Sequence, residues 1–109
     1  MTRLTADFWV AAYRARLAQA GIPAFVVARG DATAGAVAVK LSTLDGRATA
    51  FTRAWNAEGR RSWTKLAEGP EAEVDAALAR QRRYDPDLWI VEVEDRAGRH
   101  LLDEPGLAD

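Results

Sequence analysis

Between Ala36 and Trp55 the chain reads AVAVKLSTLDGRATAFTRAW, and no other stretch constrains the fold as much. Residues alternate along both arms. Val37, Val39 and Leu41 stand against Ala36, Ala38 and Lys40, and Phe51, Arg53 and Trp55 against Ala48, Ala50 and Ala54. A period of two belongs to a strand, whose successive side chains point to opposite faces. Leu44-Asp45-Gly46 between the arms is a hairpin signal, because Asp-Gly tolerates the positive φ angles of tight turns. The product is an antiparallel pair with two unlike faces. The alanine face lets a helix lie close. The face carrying Val37, Val39, Leu41, Phe51 and Trp55 is too apolar to stay wet. Either the sheet is covered on both sides, or one side meets another molecule.

The remaining elements arrange themselves around this hairpin. A helix is expected from about Ala6 to Ala20, with Thr5 as N-cap and Asp7 in its first turn. Val10, Tyr13, Leu17 and Ala20 make its apolar face, and Gly21 and Pro23 end it. PAFVVARG reads as a strand ending at Gly30, NAEGR as a second turn and RSWTKL as a further strand. EGPEAEVDAALARQRRY is a helix with Pro70 at its first position and Glu71 and Glu73 in its first turn. Val74, Ala77, Leu78 and Gln81 share its stripe, and Pro86 ends it by Asp85. LWIVEVED is a strand with Trp89, Val91 and Val93 on one face and Leu88, Ile90, Glu92 and Glu94 on the other. HLLDE reads as a short strand or helical turn, and residues 105–109 as a frayed tail. The order α-β-β-β-β-α-β specifies an α+β fold: a mainly antiparallel sheet of about five strands with two helices. At 109 residues this is one domain spanning 1–109.

Composition removes several chemistries. Cysteine is absent and His100 is the only histidine. Thiolate catalysis, disulfides, zinc–cysteine and His-rich metal sites and histidine pairs are therefore excluded, and no cofactor is expected. The longest apolar run, Leu88 to Val91, is far too short to span a bilayer, and MTRLTADFWV has no secretory h-region. A cytoplasmic protein without a membrane partner is the expectation. Net charge is −1, which is no global signature of nucleic-acid binding. The charge is uneven, however: residues 40–65 are basic and residues 85–109 acidic.

Five groups of residues carry candidate chemistry. Arg80, Arg82 and Arg83 beside Asp85 and Asp87 suggest an anion site. The plainer reading sets the arginines against the negative helix end, with the aspartates as ion-pair partners and turn formers. Glu92 and Glu94, about 7 Å apart on one strand face, have the separation of an inverting glycosidase pair, roughly 6.5–9.5 Å. They serve equally as partners for Lys40, Arg47 or Arg53. His100 is a candidate general base with Asp95 or Asp103 orienting it. GDATAG has P-loop glycine spacing but lacks the Lys and Ser/Thr that such a loop needs. Finally, Arg47, Arg53, Arg60, Arg61 and Lys65 are interleaved with Phe51, Trp55 and Trp63, the pairing of charge and aromatics that binds single-stranded nucleic acid.

RGDATAGA (29–36), RYDPDLWIVEVED (83–95) and GRHLLDE (98–104) resemble domain-of-unknown-function family 1491, small proteins of alphaproteobacteria. The resemblance covers nearly the whole chain. It implies a one-domain protein of about this length and brings no catalytic residue, ligand or partner with it. The residues themselves favour a non-catalytic interaction or regulatory domain, binding an unknown protein partner or a second copy of itself. Trp55 and Trp63 are its expected anchors, flanked by Arg53, Arg60 and Arg61. The alternatives are single-stranded nucleic-acid binding through the same hairpin, and a hydrolase built on Glu92 and Glu94.

Overall fold

The computed structural model describes residues 4–55 and 57–108. Helix α1 (Ala6–Gln19) is followed by β1 (Ala24–Ala28), β2 (Val37–Ser42), β3 (Arg47–Trp55), β4 (Arg61–Pro70), helix α2 (Glu71–Tyr84) and β5 (Trp89–Glu94). This is the expected order. The five strands form one sheet, β1-β5-β2-β3-β4, in which β5 runs parallel to β2 and every other pairing is antiparallel. Asn56, in the expected NAEGR turn, and Asp109, at the end of the expected tail, lie outside the described residues.

The two unlike faces of the β2–β3 hairpin dictate the layers. On the large-residue face α1 lays Trp9, Val10, Tyr13 and Leu17 over Val39, Leu41, Trp89, Val91 and Val93, all buried. On the alanine face α2 lays Val74 and Leu78 over Ala38, Ala48, Ala50 and Ile90. The sheet is therefore covered on both sides. Ala36 and Ala54 are not beneath α2 as the alternation suggests. They sit past its C-terminal end and stay exposed.

Several local expectations change for physical reasons. Thr5 does not cap α1 with its side chain, since its hydroxyl donates to Asp7 Oδ1 at 2.7 Å. The first helical N–H groups instead donate to backbone carbonyls, Ala6 to Thr33 and Asp7 to Ala32. Pro70 is the N-cap residue of α2 rather than its first helical residue, and the Glu71 N–H donates to the Gly46 carbonyl. In the β2–β3 turn the positive φ angles fall on Leu44 (62°) and Gly46 (87°), not on Asp45. Asp45 closes that turn by accepting from the Thr43 hydroxyl and the Arg47 N–H. No helix among the described residues is long and apolar enough to cross a membrane.

The tail expected over 105–109 is anchored at Leu107, while Pro105 and Gly106 are exposed. Leu107 is buried, its carbonyl accepts from Trp63 Nε1 at 2.8 Å, and Glu104 receives Arg16 through two hydrogen bonds of 2.9 Å.

Candidate functional site

Strand length creates the site. β3 and β4 have nine and ten residues, whereas β2 and β5 have six each. The β2–β3 ladder begins at the Ala38–Thr52 pair, so Arg53, Ala54 and Trp55 run on past it, paired with Trp63, Ser62 and Arg61 of β4. This overhanging hairpin leaves a cleft of about 680 Å³ between itself, the first turn of α1 and the loop at 33–35. Arg53, Arg60, Arg61, Trp9 and Trp55 line it. Period-two alternation places Arg53 and Trp55 on the same side, and the antiparallel register brings Arg61 opposite Trp55.

Of the five residues singled out for binding, Arg53, Arg60, Arg61 and Trp55 thus meet in one cleft. Trp55 is 63% exposed. Trp63 is placed differently. Half-buried, it stacks obliquely on Trp9, with centroids 5.4 Å apart, and is held by Leu107. It sits behind the cleft rather than in its lining. The Arg53 guanidinium lies over both rings, 4.8 Å from the Trp9 centroid and 5.0 Å from that of Trp63. Cation–π attraction therefore orients it. Trp9 is the residue that the sequence reasoning missed. The signal was its place four residues before Tyr13, on the stripe that continues to Leu17. It is buried, and its indole N–H has no acceptor among the described residues.

A second cleft, of about 430 Å³, opens on the α2 side of the same overhang. Ala36, Val37, Ala54 and Leu88 give it an apolar lining, Gln81 and Asp85 a polar one, and it shares Arg53, Trp55 and Arg61 with the first. One end of the sheet thus carries two clefts back to back around Trp55.

The floor of this end is a clasp between two of the strings noted above. A Cβ on Gly30 would lie 2.0 Å from the Asp87 carbonyl oxygen, and one on Gly35 2.5 Å from it. These glycines admit a backbone carbonyl, which is why P-loop spacing appears without a P-loop. Asp31 N–H donates to that carbonyl, and Trp89 Nε1 donates to the Asp31 carbonyl at 2.8 Å. The arginine cluster at the end of α2 belongs to the same clasp. Arg82 donates to the carbonyls of Leu88 and Arg29. Among the described residues no ion pair joins Arg80, Arg82 or Arg83 to Asp85 or Asp87. Asp85 acts as a turn former, accepting from the Asp87 N–H.

The catalytic candidates are engaged elsewhere. Glu92 faces Lys40 at 3.2 Å, and the same ammonium meets Glu71 at 2.8 Å and Asp75 at 2.7 Å. The Lys40 side chain is only 6% exposed. Burial disfavours its charge, but the bonds to Asp75, Glu71 and Glu92 outweigh it and raise the pKa above the ordinary lysine value. Asp95 pairs with Arg99, not with His100. His100 accepts from the Leu102 N–H through Nδ1 and packs its ring on Phe51, centroids 4.8 Å apart. Burial lowers its pKa, and Asp103 opposes that in part. No group of three or more His, Asp or Glu side chains among the described residues is arranged to hold a metal ion.

Comparison with known proteins agrees with the architecture. Residues 4–103 match the family described as protein of unknown function (DUF1491). The crystal structure of a DUF1491 family protein from Caulobacter crescentus CB15 is similar with a TM-score of 0.85 and 44% identity, over 94% of this chain and 98% of that one. An NMR structure of a DUF1491 family protein from the same organism gives 0.82 and 43%, over 96% and 97%. The solution structure of a protein from A. tumefaciens gives 0.73 and 33%, over 85% and 86%. No curated protein matches the chain. With a family match over almost its whole length and a solved relative at 44% identity, the chain belongs to the DUF1491 family of proteins of unknown function.

Proposed function

We propose that this protein is a non-catalytic docking domain of the cytoplasm, in which the cleft beneath the β3–β4 overhang captures an acidic segment of a partner protein. The observation that carries this reading is the convergence of Arg53, Arg60 and Arg61 around Trp55 in one cleft of about 680 Å³. Arginines present planar donor pairs suited to carboxylates, and an exposed tryptophan beside them supplies the apolar contact that dominates interface energies. Glu92 is committed to Lys40, which counts against a hydrolase.

Single-stranded nucleic acid is the less favoured occupant. A stacking platform needs a row of open rings, and on this hairpin Phe51 and Trp63 are half-buried, leaving Trp55.

The test is fluorescence anisotropy with a fluorescein-labelled, glutamate-rich decapeptide and, separately, an oligothymidylate. The peptide binds the native protein. Arg60→Glu with Arg61→Glu weakens it by about tenfold or more, and Trp55→Ala by several-fold, with circular dichroism unchanged. Binding of the oligonucleotide alone, collapsing with salt, would replace this reading by the nucleic-acid one.

A further inference from the structure

We infer that the outer edge of β1 is a self-association surface, on which a second copy of this chain pairs antiparallel about a two-fold axis at Phe25. β1 closes one side of the sheet, at the opposite edge from β4. It reads AFVVA, with no charge from Gly21 to Ala28, and Phe25 and Val27 are 51% and 59% exposed. Edge strands are ordinarily guarded by charged side chains. β4 follows that rule, with Lys65 and Glu68 exposed along it. β1 does not.

The hydrogen-bonding phase of β1 fixes the register. Glu94 N–H donates to the Pro23 carbonyl, while on the other side of β5 Trp89 N–H donates to the Ala36 carbonyl. Even-numbered residues of β5 therefore bond towards β1. Of the pairs Ala24–Val93, Phe25–Glu92 and Val26–Val91, the bonded one is Phe25–Glu92. Ala24 and Val26 aim their N–H and C=O groups outward, where no backbone group among the described residues meets them. The ladder shifts register between Val26 and Ala28, which ends the regular edge.

A three-residue edge between Pro23 and that irregularity is complementary to itself. With Phe25 facing Phe25 of a second copy, Ala24 of each chain meets Val26 of the other, and each such pair exchanges two hydrogen bonds. The Phe25 pair is then the closely spaced, non-bonded one, in which side chains touch most. It lies on the α2 face, because Phe25 stands opposite Glu92. Each Val27 falls beside Pro23 of the other chain, so the exposed apolar residues of one edge cover those of its mate. Glu92, next to Phe25 on that face, is held by Lys40, and its charge does not oppose the approach. So short an edge buries less than the roughly 1,200–2,000 Å² of a stable interface, which makes the dimer a weak one.

Sedimentation velocity over a concentration series is the test. The native protein passes from monomer to dimer with a midpoint of about 10–100 μM. Phe25→Lys and Phe25→Glu, at an exposed position, each stay monomeric with native circular dichroism, because like charges meet on the axis. Mixed in equal amounts, the two variants associate again. Amide exchange followed by NMR slows with concentration at Ala24 and Val26 and is constant at Phe25, which is already bonded within the sheet. A monomer up to about 1 mM overturns the inference, as do dimers that survive Phe25→Lys. A mixture that stays monomeric, or exchange at Ala24 and Val26 that ignores concentration, overturns it as well. The inference is independent of the cleft at the overhang, whose peptide binding Phe25→Lys leaves unchanged.

Discussion

Gly30 has room for a hydrogen and nothing larger, because the Asp87 carbonyl and the Trp89 ring, which a Cβ would meet at 2.6 Å, close the space on it. Gly30→Ala must push the loop at 29–36 off the turn before β5. We expect a loss of about 2–3 kcal/mol in urea unfolding, whereas Gly59→Ala, where a Cβ meets only open space, costs only its φ of 76°. His100 makes a second prediction at this scale. Its folded pKa lies below the ordinary 6.5, so the unfolded chain takes up the proton first. The stability that neutral His100 contributes is complete above pH ~6.5 and is lost as pH falls through the lower folded value. Thermal midpoints measured from pH 7.5 to 5 should decline, and His100→Gln should decline less steeply over that window. If the two slopes coincide, the burial of His100 contributes no pH dependence to stability.

At the scale of elements, α2 and β3 approach closely only because alanine paves the strand between them. Ala50 is fully buried beneath Val74 and Leu78, and Ala50→Leu would have to lift the helix. The expected cost is about 1–3 kcal/mol, with native secondary structure by circular dichroism. Much at this scale was legible in the sequence. The turn at 43–46, the alternation of β2 and β3 and the charge-sorted ends of α2 are all encoded within a few residues of where they act. Strand order was not legible. It depends on Val91 finding both Val26 and Val39, and spacing along the chain carries no information about contacts that distant. The site divides in the same way. Arg53, Arg61 and Trp55 share a side by alternation, which the sequence displays. Trp9 reaches them only through the docking of α1, and Trp63 is withdrawn by Leu107 from a segment whose Pro and Gly read as a loose end.

For the whole molecule, that closing segment is a seam. Arg16 of α1 holds Glu104, Tyr13 donates to the His100 carbonyl at 2.8 Å, and Leu107 plugs the core beside Trp63. Truncation after Pro105 removes the plug and the acceptor of the Trp63 N–H. It should cost about 2–4 kcal/mol, and Trp63 fluorescence should shift red as its ring meets water. Sheet order has a consequence of a different kind. β5 is the last strand among the described residues, yet it stands between β1 and β2. While the protein is being made, β1 has no neighbour to bond with until residues 89–94 have emerged, although the β2–β4 meander can already form from local contacts. A chain halted before Trp89 can still seat α1 on the three-stranded meander through Trp9 and Trp63, but β1 is left without a strand to pair with. The sheet is complete only when a strand from late in the chain stands between two that were made before it.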